Sequence, residues 1–166
     1  FNPTVRLYNS AGVLIKTQSV DISGELSQVI TEAGTYYLWV YDDNYVEGGS
    51  YNLTLQKVNP PVNAVDVVYG DLKSGVIGAS AEVDVYRFTA GAGDSVVIPV
   101  TAPSGFGPFN PTVRLYSSAG VLIKTQVVDI SGELSHVITD AGTYYLCVYD
   151  DNYVEGGSYN LTLQKV

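Results

Sequence analysis

A stretch of 58 residues occurs twice in this chain, and the repeat constrains the fold more than any other feature of the sequence. Residues 109–166 repeat residues 1–58 with a shift of 108 positions. The copies differ at five positions, which are Asn9/Ser117, Ser19/Val127, Gln28/His136, Glu32/Asp140 and Trp39/Cys147. A fixed repeat period indicates a protein built from repeated structural units. We therefore predict a full unit, residues 59–166, preceded by the last 58 residues of another.

Short alternating segments indicate an all-β fold. Tyrosine is abundant, with 14 copies, and the 17 glycines and 7 prolines supply turns. About seven short strands with frequent turn signals are typical of an antiparallel β-sandwich. We expect jelly-roll-like sandwich units in tandem, one complete and one truncated. The predicted parts are a truncated repeat at 1–58, a proline-containing linker at 59–63 and a complete repeat at 64–166.

Charge and cysteine content restrict the class of protein. The formal net charge of −9 argues against nucleic acid as a partner, because binding nucleic acid needs a basic surface. The single cysteine excludes an internal disulfide framework. No apolar run is long enough to cross a bilayer, so we expect no membrane span in this segment. The chain lacks methionine and begins within a repeat, so we expect it to be part of a longer protein.

Alternation with a period of two assigns the faces of the strands. Residues 83–89 and 96–100 read as two strands that the truncated copy lacks, whereas residues 64–81 read as a segment rich in turn signals. Residues 102–108 read as a Gly/Pro/Ser loop. On the last two strands, the residues expected to face the core are Tyr144, Leu146, Val148, Tyr159, Leu161 and Leu163. A sandwich that lacks two strands exposes apolar core and unpaired edges. Either another chain completes the truncated copy by strand addition, or the sequence is cut at an arbitrary place within a continuous polymer.

Several segments in a fixed order resemble one known family. They are Glu82-Val-Asp-Val-Tyr-Arg-Phe88, Ala92-Gly-Asp-Ser-Val-Val-Ile98, Val113-Arg-Leu-Tyr116 with Ala119-Gly120, Ala141-Gly-Thr-Tyr-Tyr-Leu146 and Gly157-Ser-Tyr-Asn-Leu-Thr-Leu163. In their order and spacing they resemble the bacterial pre-peptidase C-terminal domain. That resemblance implies a secreted, non-catalytic β-sandwich module. Members occur as appendages of secreted proteases and as tandem modules of surface proteins, and near-identical tandem copies favour the second arrangement here.

The resemblance also implies a calcium site. The related collagen-binding domains of clostridial collagenases bind Ca²⁺ near their N-terminal segment. In this sequence the corresponding acidic residues are Glu82 and Asp84, with Asp66 and Asp71 nearby. The family's upstream acidic segment is not recognisable in residues 59–64, so the complete ligand set does not carry over.

Two acidic loops are a second calcium candidate. Oxygen-bearing side chains of the kind that suit Ca²⁺ occur at Asp150, Asp151, Asn152 and Glu155, and again at Asp42, Asp43, Asn44 and Glu47. The spacing is not that of an EF-hand. The alternative, which we favour, is a hairpin loop in which Asp and Asn side chains accept hydrogen bonds from the local backbone.

The face opposite the core carries a row of aromatic residues. In the second copy the row is Tyr145, Cys147 and Tyr149, and in the first copy it is Tyr37, Trp39 and Tyr41. Exposed aromatic rows mark contact surfaces. We favour packing between units or chains over stacking against a sugar ring of a surface polysaccharide. Cys147 could bridge two chains, but we expect it to stay reduced because the chain supplies no second cysteine.

No catalytic arrangement is predicted. His136 is replaced by glutamine in the first copy, which excludes a histidine-dependent activity common to both copies. The sequons at Asn52 and Asn160 are candidate glycosylation sites, and both asparagines should point outward. We expect a structural segment of an extracellular or cell-surface fibre, filament or adhesin-like array, with copies of itself as partners. The alternative is an accessory module that binds a polymer, cell wall or carbohydrate for a secreted hydrolase.

Overall fold

The computed structural model describes residues 1–103 and 109–166, and all regular secondary structure in those ranges is β-strand. The strands are β1 (Pro3–Tyr8), β2 (Leu14–Ser19), β3 (Tyr37–Asp42), β4 (Val65–Asp66), β5 (Leu72–Ile77), β6 (Asp84–Ala90), β7 (Ser95–Thr101), β8 (Pro111–Tyr116), β9 (Leu122–Val127), β10 (Ser131–Val137), β11 (Gly142–Asp150), β12 (Gly157–Thr162) and β13 (Gln164–Lys165). These strands confirm the predicted all-β class. No helix in the described ranges is long and apolar enough to cross a membrane.

The chain divides into two compact units, Phe1–Asn52 and Leu53–Val166. The sequence repeat places the boundary six residues later, after residue 58. Val58, the last of the intervening residues, packs against hydrophobic residues of the second unit.

The second unit is a sandwich of two sheets. One sheet has the strand order β10-β7-β12-β5, with β13 also paired to β7. The other has the order β4-β6-β11-β8-β9. All these pairings are antiparallel except that of β4 with β6. Each sheet therefore joins strands from the repeated segment to strands from residues 64–103, so neither segment makes a complete sheet by itself.

The core lies between the two sheets and follows the predicted alternation. Tyr144, Leu146 and Val148 from one sheet meet Tyr159 and Leu161 from the other, and all are buried. Tyr86 and Phe88 of β6 add to the same core. Burial of each such side chain removes apolar surface from water and stabilises the fold by about 1.5–3 kcal/mol.

Residues 64–81 contain two strands that the turn signals did not predict. β4 and β5 both lie in this segment, and β5 forms an edge of its sheet. Gly75 weakens the strand pattern of β5, but it is required there because the ring of Tyr159 occupies the space of its missing side chain. The second unit has ten strands in the described ranges rather than about seven.

The first unit is a three-stranded sheet with the order β2-β1-β3. It reproduces the β9-β8-β11 part of the second unit, with the same register shift next to Leu7 and Leu115. The residues equivalent to β10, β12 and β13 form no strand in the first copy. Nearly the same sequence therefore makes six strands in one copy and three in the other.

The missing partners explain this difference. In the second unit β10, β12 and β13 pair with β7, and β12 also pairs with β5. The residues before β1 contain no equivalent of β4, β5, β6 or β7. The truncated copy thus lacks four strands, not the two predicted from sequence. A strand without a neighbour leaves its backbone groups unpaired, so the ladder does not form.

The predicted Gly/Pro/Ser loop at residues 102–108 lies partly outside the described residues. Ala102 is buried, and its amide donates a hydrogen bond to the Ile130 carbonyl. This bond fixes the start of the connection between β7 and β8.

Candidate functional site

The aromatic row of the second unit is buried, which corrects its assignment to an open outer face. Tyr145, Cys147 and Tyr149 are each no more than 5% exposed. Tyr145 and Cys147 belong to a second hydrophobic cluster, outside the sandwich core, together with Val85 and Tyr116. This face of β6, β11 and β8 is therefore an occupied contact surface within the unit.

Both ends of the segment joining the two copies pack against that face. We call residues 58–64 the joint. Val58 and Ala64 of the joint pack against the outer cluster. The joint also runs close to the β8–β9 turn, where a Cβ built on Gly120 would lie 2.8 Å from the Cβ of Asn59. The sequence signal that could have revealed this contact is the pair of apolar residues bracketing the polar and proline-containing centre of the joint.

The equivalent row in the first unit is open. Tyr37 is 50% exposed and Trp39 is 61% exposed. Trp39 packs against Tyr8 with ring centroids 5.2 Å apart. The third member, Tyr41, is half-buried because it stacks on Tyr45 at 5.0 Å. The row is thus an exposed aromatic surface in one unit and a buried contact in the other.

A stacked group beside the row is the same in both units. The Arg6 guanidinium lies 4.8 Å from the centre of the Tyr41 ring, and Arg114 lies 4.9 Å from that of Tyr149. Tyr149 stacks on Tyr153 at 4.6 Å. A guanidinium over a tyrosine face is attracted by the ring quadrupole. These contacts form without β4–β7, so residues 1–58 are sufficient to specify them.

The acidic loops are turns organised by one carboxylate each. Asp150 accepts hydrogen bonds from the amides of Asn110, Val154 and Glu155 at 3.0–3.1 Å. Asp42 accepts the equivalent bonds from Asn2, Val46 and Glu47 at 3.0–3.1 Å. This arrangement is the one expected for a hairpin loop, which was the alternative to a calcium site.

Each loop turns at a tyrosine in the left-handed region. Tyr153 has a φ of 60° and Tyr45 has a φ of 58°. The hydrogen bonds donated by the amides of Glu47, Asn2 and Val46 hold the pKa of the Asp42 carboxyl below its ordinary value. The Asp42 carboxylate is therefore already bonded to backbone amides of the protein.

Replacing Asp150 with alanine should destabilise the second unit by about 2 kcal/mol, because the amides of Asn110, Val154 and Glu155 lose their acceptor. Denaturant unfolding measures the change. Asp151→Ala is the matched control, since Asp151 is exposed and should change stability by less than about 0.5 kcal/mol. Equal losses in the two variants would contradict the assigned role of Asp150.

The other predicted calcium residues also bond within the protein. Glu82 accepts hydrogen bonds from the amides of Gly78 and Ala79 at 2.7 and 2.9 Å. Asp84 accepts one from the Tyr159 hydroxyl at 2.6 Å. That hydroxyl lies 2.7 Å from the hydroxyl of Tyr86. The Asp84–Tyr159 bond joins β6 in one sheet to β12 in the other, and sequence analysis did not predict it.

Stability should depend on pH through Asp84. Burial raises the pKa of Asp84 above 3.8, with a contribution from the charge of Glu82. A raised pKa means that the folded state holds the proton more tightly, so this stabilisation is present at low pH and is lost as pH rises through the folded-state pKa. Asp84→Asn does not titrate. Its stability relative to the wild type should therefore rise as pH increases from the unfolded-state pKa of Asp84 to the folded-state pKa, by at most about 1.4 kcal/mol per pH unit. Urea unfolding at several pH values tests this, and a pH-independent difference would contradict it.

No group of three or more histidine, cysteine, aspartate or glutamate side chains in residues 1–103 and 109–166 is arranged to hold a metal ion. Asp43 and Asn44 are exposed, whereas Asn152 is half-buried. Calcium binding therefore stays a prediction, which calorimetric titration with Ca²⁺ would test.

The two sequons lie in different surroundings. Asn52 is exposed, but Asn160 is half-buried on β12 and accepts a hydrogen bond from the Ser74 hydroxyl at 2.7 Å. His136 is half-buried on β10, where it pairs with Val96. Glycosylation at either asparagine stays a prediction.

Comparison with known proteins gives structural likenesses only. No protein-family profile matches the chain, and no curated protein matches it. A similar solved structure is the pre-peptidase C-terminal domain of a collagenase from Bacillus anthracis, with 19% identity and a TM-score of 0.49, covering 68% of this chain and 100% of that one. Another is a periplasmic inhibitor of g-type lysozyme from Aeromonas hydrophila, with 15% identity and a TM-score of 0.47, covering 61% of this chain and 96% of that one. The first is a domain of the family that the sequence segments resemble.

Proposed function

We propose that this chain is a non-catalytic structural segment of an extracellular or cell-surface array or filament, built from tandem 108-residue sandwich units. The resemblance of its segments to pre-peptidase C-terminal domains supports a secreted accessory β-domain. The near-identity of the two copies supports a repeated structural use, because copies that bind different ligands would be expected to differ in their surface residues.

One observation carries this proposal: both ends of the joint pack against the unit that follows it. Val58 and Ala64 contact the outer cluster of the second unit. A linker that only tethers domains makes no packing contacts with them, and a proline-rich linker of this kind is a semi-rigid spacer. A joint that is part of the following unit's packing fixes the direction in which the chain enters that unit. Repeated along an array, the same contact would define a regular path for the chain.

The open state of the first copy gives further support. Tyr51, Leu53 and Leu55 are 52–84% exposed. Their twins Tyr159, Leu161 and Leu163 are fully buried. Large exposed apolar surfaces mark sites that another segment covers. In an array, strands equivalent to β4–β7 would cover this surface, either from the same chain or by strand addition from a neighbouring one.

Electron microscopy of the native parent material tests the proposal. Filaments or rods with an axial repeat matching one unit would support it, and discrete particles without a repeat would overturn it. Imaging with and without a chelator also tests the calcium prediction. Loss of the filaments on chelation would assign Ca²⁺ a structural role, and unchanged filaments would leave the acidic loops as turns.

The exposed aromatic row favours a second candidate, an accessory module that binds a polysaccharide. Tyr37 and Trp39 present flat rings to solvent and could stack on sugar rings. Trp39 is the single tryptophan, so its fluorescence reports on this surface directly. The array proposal expects no saturable change in emission on adding soluble polysaccharides. A saturable change that Tyr37→Ala weakens, with Trp39 kept as the reporter, would favour the binding module.

A further inference from the structure

One edge of the sandwich in the second unit is open along a whole strand. β5 pairs with β12 on one side, and no strand in the described part of the chain pairs with its other side. The amide of Leu163 donates a hydrogen bond to the carbonyl of Asp71, so Asp71 is a hydrogen-bonded position of this ladder. Such positions alternate along an antiparallel pair. The backbone N–H and C=O groups of Leu72, Ser74 and Val76 therefore point away from β12, toward the open side.

The side chains at the same three positions face the solvent. Ser74 is exposed, and the exposed fractions of Leu72 and Val76 are 65% and 59%. β5 contains no proline, and its one charged residue, Lys73, lies on the other face of the strand, where it is paired with Asp71 at 3.2 Å. An exposed edge strand with apolar side chains is a template for pairing with another strand.

The other edges of the second unit are protected. β9 and β10 end the two sheets, and the ammonium group of Lys124 on β9 donates a hydrogen bond to the carbonyl of Ser135 on β10 at 2.7 Å. β4 has only two residues, and its Asp66 is paired with Arg87 at 2.7 Å. Lysine side chains and very short edge strands are devices that prevent pairing between edges. Among the edge strands of this unit in the described residues, β5 lacks both devices.

We propose that β5 pairs in the antiparallel direction with β5 of a second copy of this chain, about a twofold axis at Ser74. In this register Leu72 lies opposite Val76 of the second chain, and Ser74 lies opposite its own counterpart. Each of these pairs joins two positions whose backbone groups are free, so each can exchange two hydrogen bonds. A register shifted by one residue would instead place free groups opposite positions that are already bonded to β12.

The side chains fit the same register. On the outer face, the two contacts between Leu72 and Val76 lie on either side of the axis, where the small side chain of Ser74 leaves room. On the inner face, Lys73 lies opposite Gly75 of the second chain rather than opposite a second lysine. Apolar cross-strand pairs stabilise a ladder, whereas like charges directly opposite each other destabilise it. The strand is therefore complementary to itself, as a twofold contact requires.

The size of the contact predicts weak association of single chains. β5 has six residues, whereas a standard stable interface has roughly 20–30 residues on each side. The net charge of −9 on each chain also opposes association. A chain with several units would present several such edges, and their combined pairing would be stronger. This contact goes beyond the proposed array, because it uses residues of the second unit alone and joins separate chains side by side.

Proline at position 74 removes the pairing without breaking the ladder to β12. The N–H of Ser74 faces the open side, where proline is tolerated in an edge strand. Ser74→Ala is the matched control, because it keeps the N–H and loses the same hydrogen bond from the Ser74 hydroxyl to Asn160. In sedimentation measurements up to about 1 mM protein, we expect concentration-dependent dimers for the wild type and Ser74→Ala. Ser74→Pro should associate at least about tenfold more weakly.

A wild-type chain that stays monomeric over this range would overturn the proposal, and so would a dimer that persists in Ser74→Pro. In the second case another surface would hold the two chains together. Neither result would affect the proposed array, which rests on the joint and is tested by microscopy of the parent material.

An intermolecular disulfide tests the register in a protein whose β5 can still pair. Two copies of Ser74 would lie about 5.5 Å apart between Cα atoms, a separation that a disulfide can span. In a Cys147→Ala background, Ser74→Cys should therefore give disulfide-linked dimers on oxidation. Val76→Cys is the control, because two copies of Val76 would lie four residues apart along the strands, roughly 13 Å, and should crosslink at least about tenfold more slowly. Equal rates for the two variants, or no crosslinked dimer from Ser74→Cys, would contradict this register.

Discussion

Replacing Ile98 with alanine is expected to destabilise the protein by about 2–5 kcal/mol, which is among the largest losses for a single core side chain. Ile98 is fully buried on β7, the strand that pairs with β10, β12 and β13. Truncating it removes apolar contacts and leaves a cavity that the surrounding strands fill only in part.

Thermal or denaturant unfolding measures this loss, and Val76→Ala is the control. Val76 lies on β5 and is 59% exposed, so its truncation should cost less than about 1 kcal/mol. A loss for Ile98→Ala no larger than that for Val76→Ala would show that β7 is not the strand on which the second unit depends.

Replacing Gly75 with alanine is expected to cost about 3 kcal/mol, because the new methyl group overlaps a buried ring. A Cβ at this position would lie 2.3 Å from Cζ of Tyr159. The ring cannot move away freely, since its hydroxyl is bonded to Asp84 and lies against the hydroxyl of Tyr86. The substitution therefore acts on the contact that joins the two sheets.

Gly142→Ala is the control for this effect. Gly142 lies on β11, and a Cβ built there meets no atom within 4 Å. Its substitution should leave the free energy of unfolding within about 0.5 kcal/mol of the wild type. If Gly75→Ala were equally neutral, the close packing of Tyr159 over β5 would be wrong.

The alternation of residues and the turn residues predicted which strand faces lie in the core and where one loop forms. Alternation identified the core-facing residues of β11 and β12, because a strand within a sandwich places every second side chain in the core. The loop that begins at Asp150 was predicted as a hairpin turn, and it forms in the first copy as well through Asp42. Two of the three bonds to Asp150, from the amides of Val154 and Glu155, come from neighbours close in sequence.

Other parts could not be predicted because they depend on segments distant in sequence. The outer row at Tyr145 and Cys147 has the alternation of an exposed face, but Val58 and Ala64 of the joint cover it. Leu161 and Leu53 have the same local sequence, yet one is buried in a strand and the other is exposed. What separates them is the presence of β5 and β7, so no local rule could distinguish the two copies.

Amide hydrogen exchange resolved by NMR tests most directly the central claim that strands β4–β7 complete one copy of the repeated segment and leave the other open. Residues 40–58 and 148–166 have the same sequence, so mass spectrometry of peptides from those ranges cannot separate them, whereas assigned NMR signals can. The account predicts slow exchange for the amides of Tyr159 and Leu161 and fast exchange for those of Tyr51 and Leu53. Equal protection of the twin amides would contradict it.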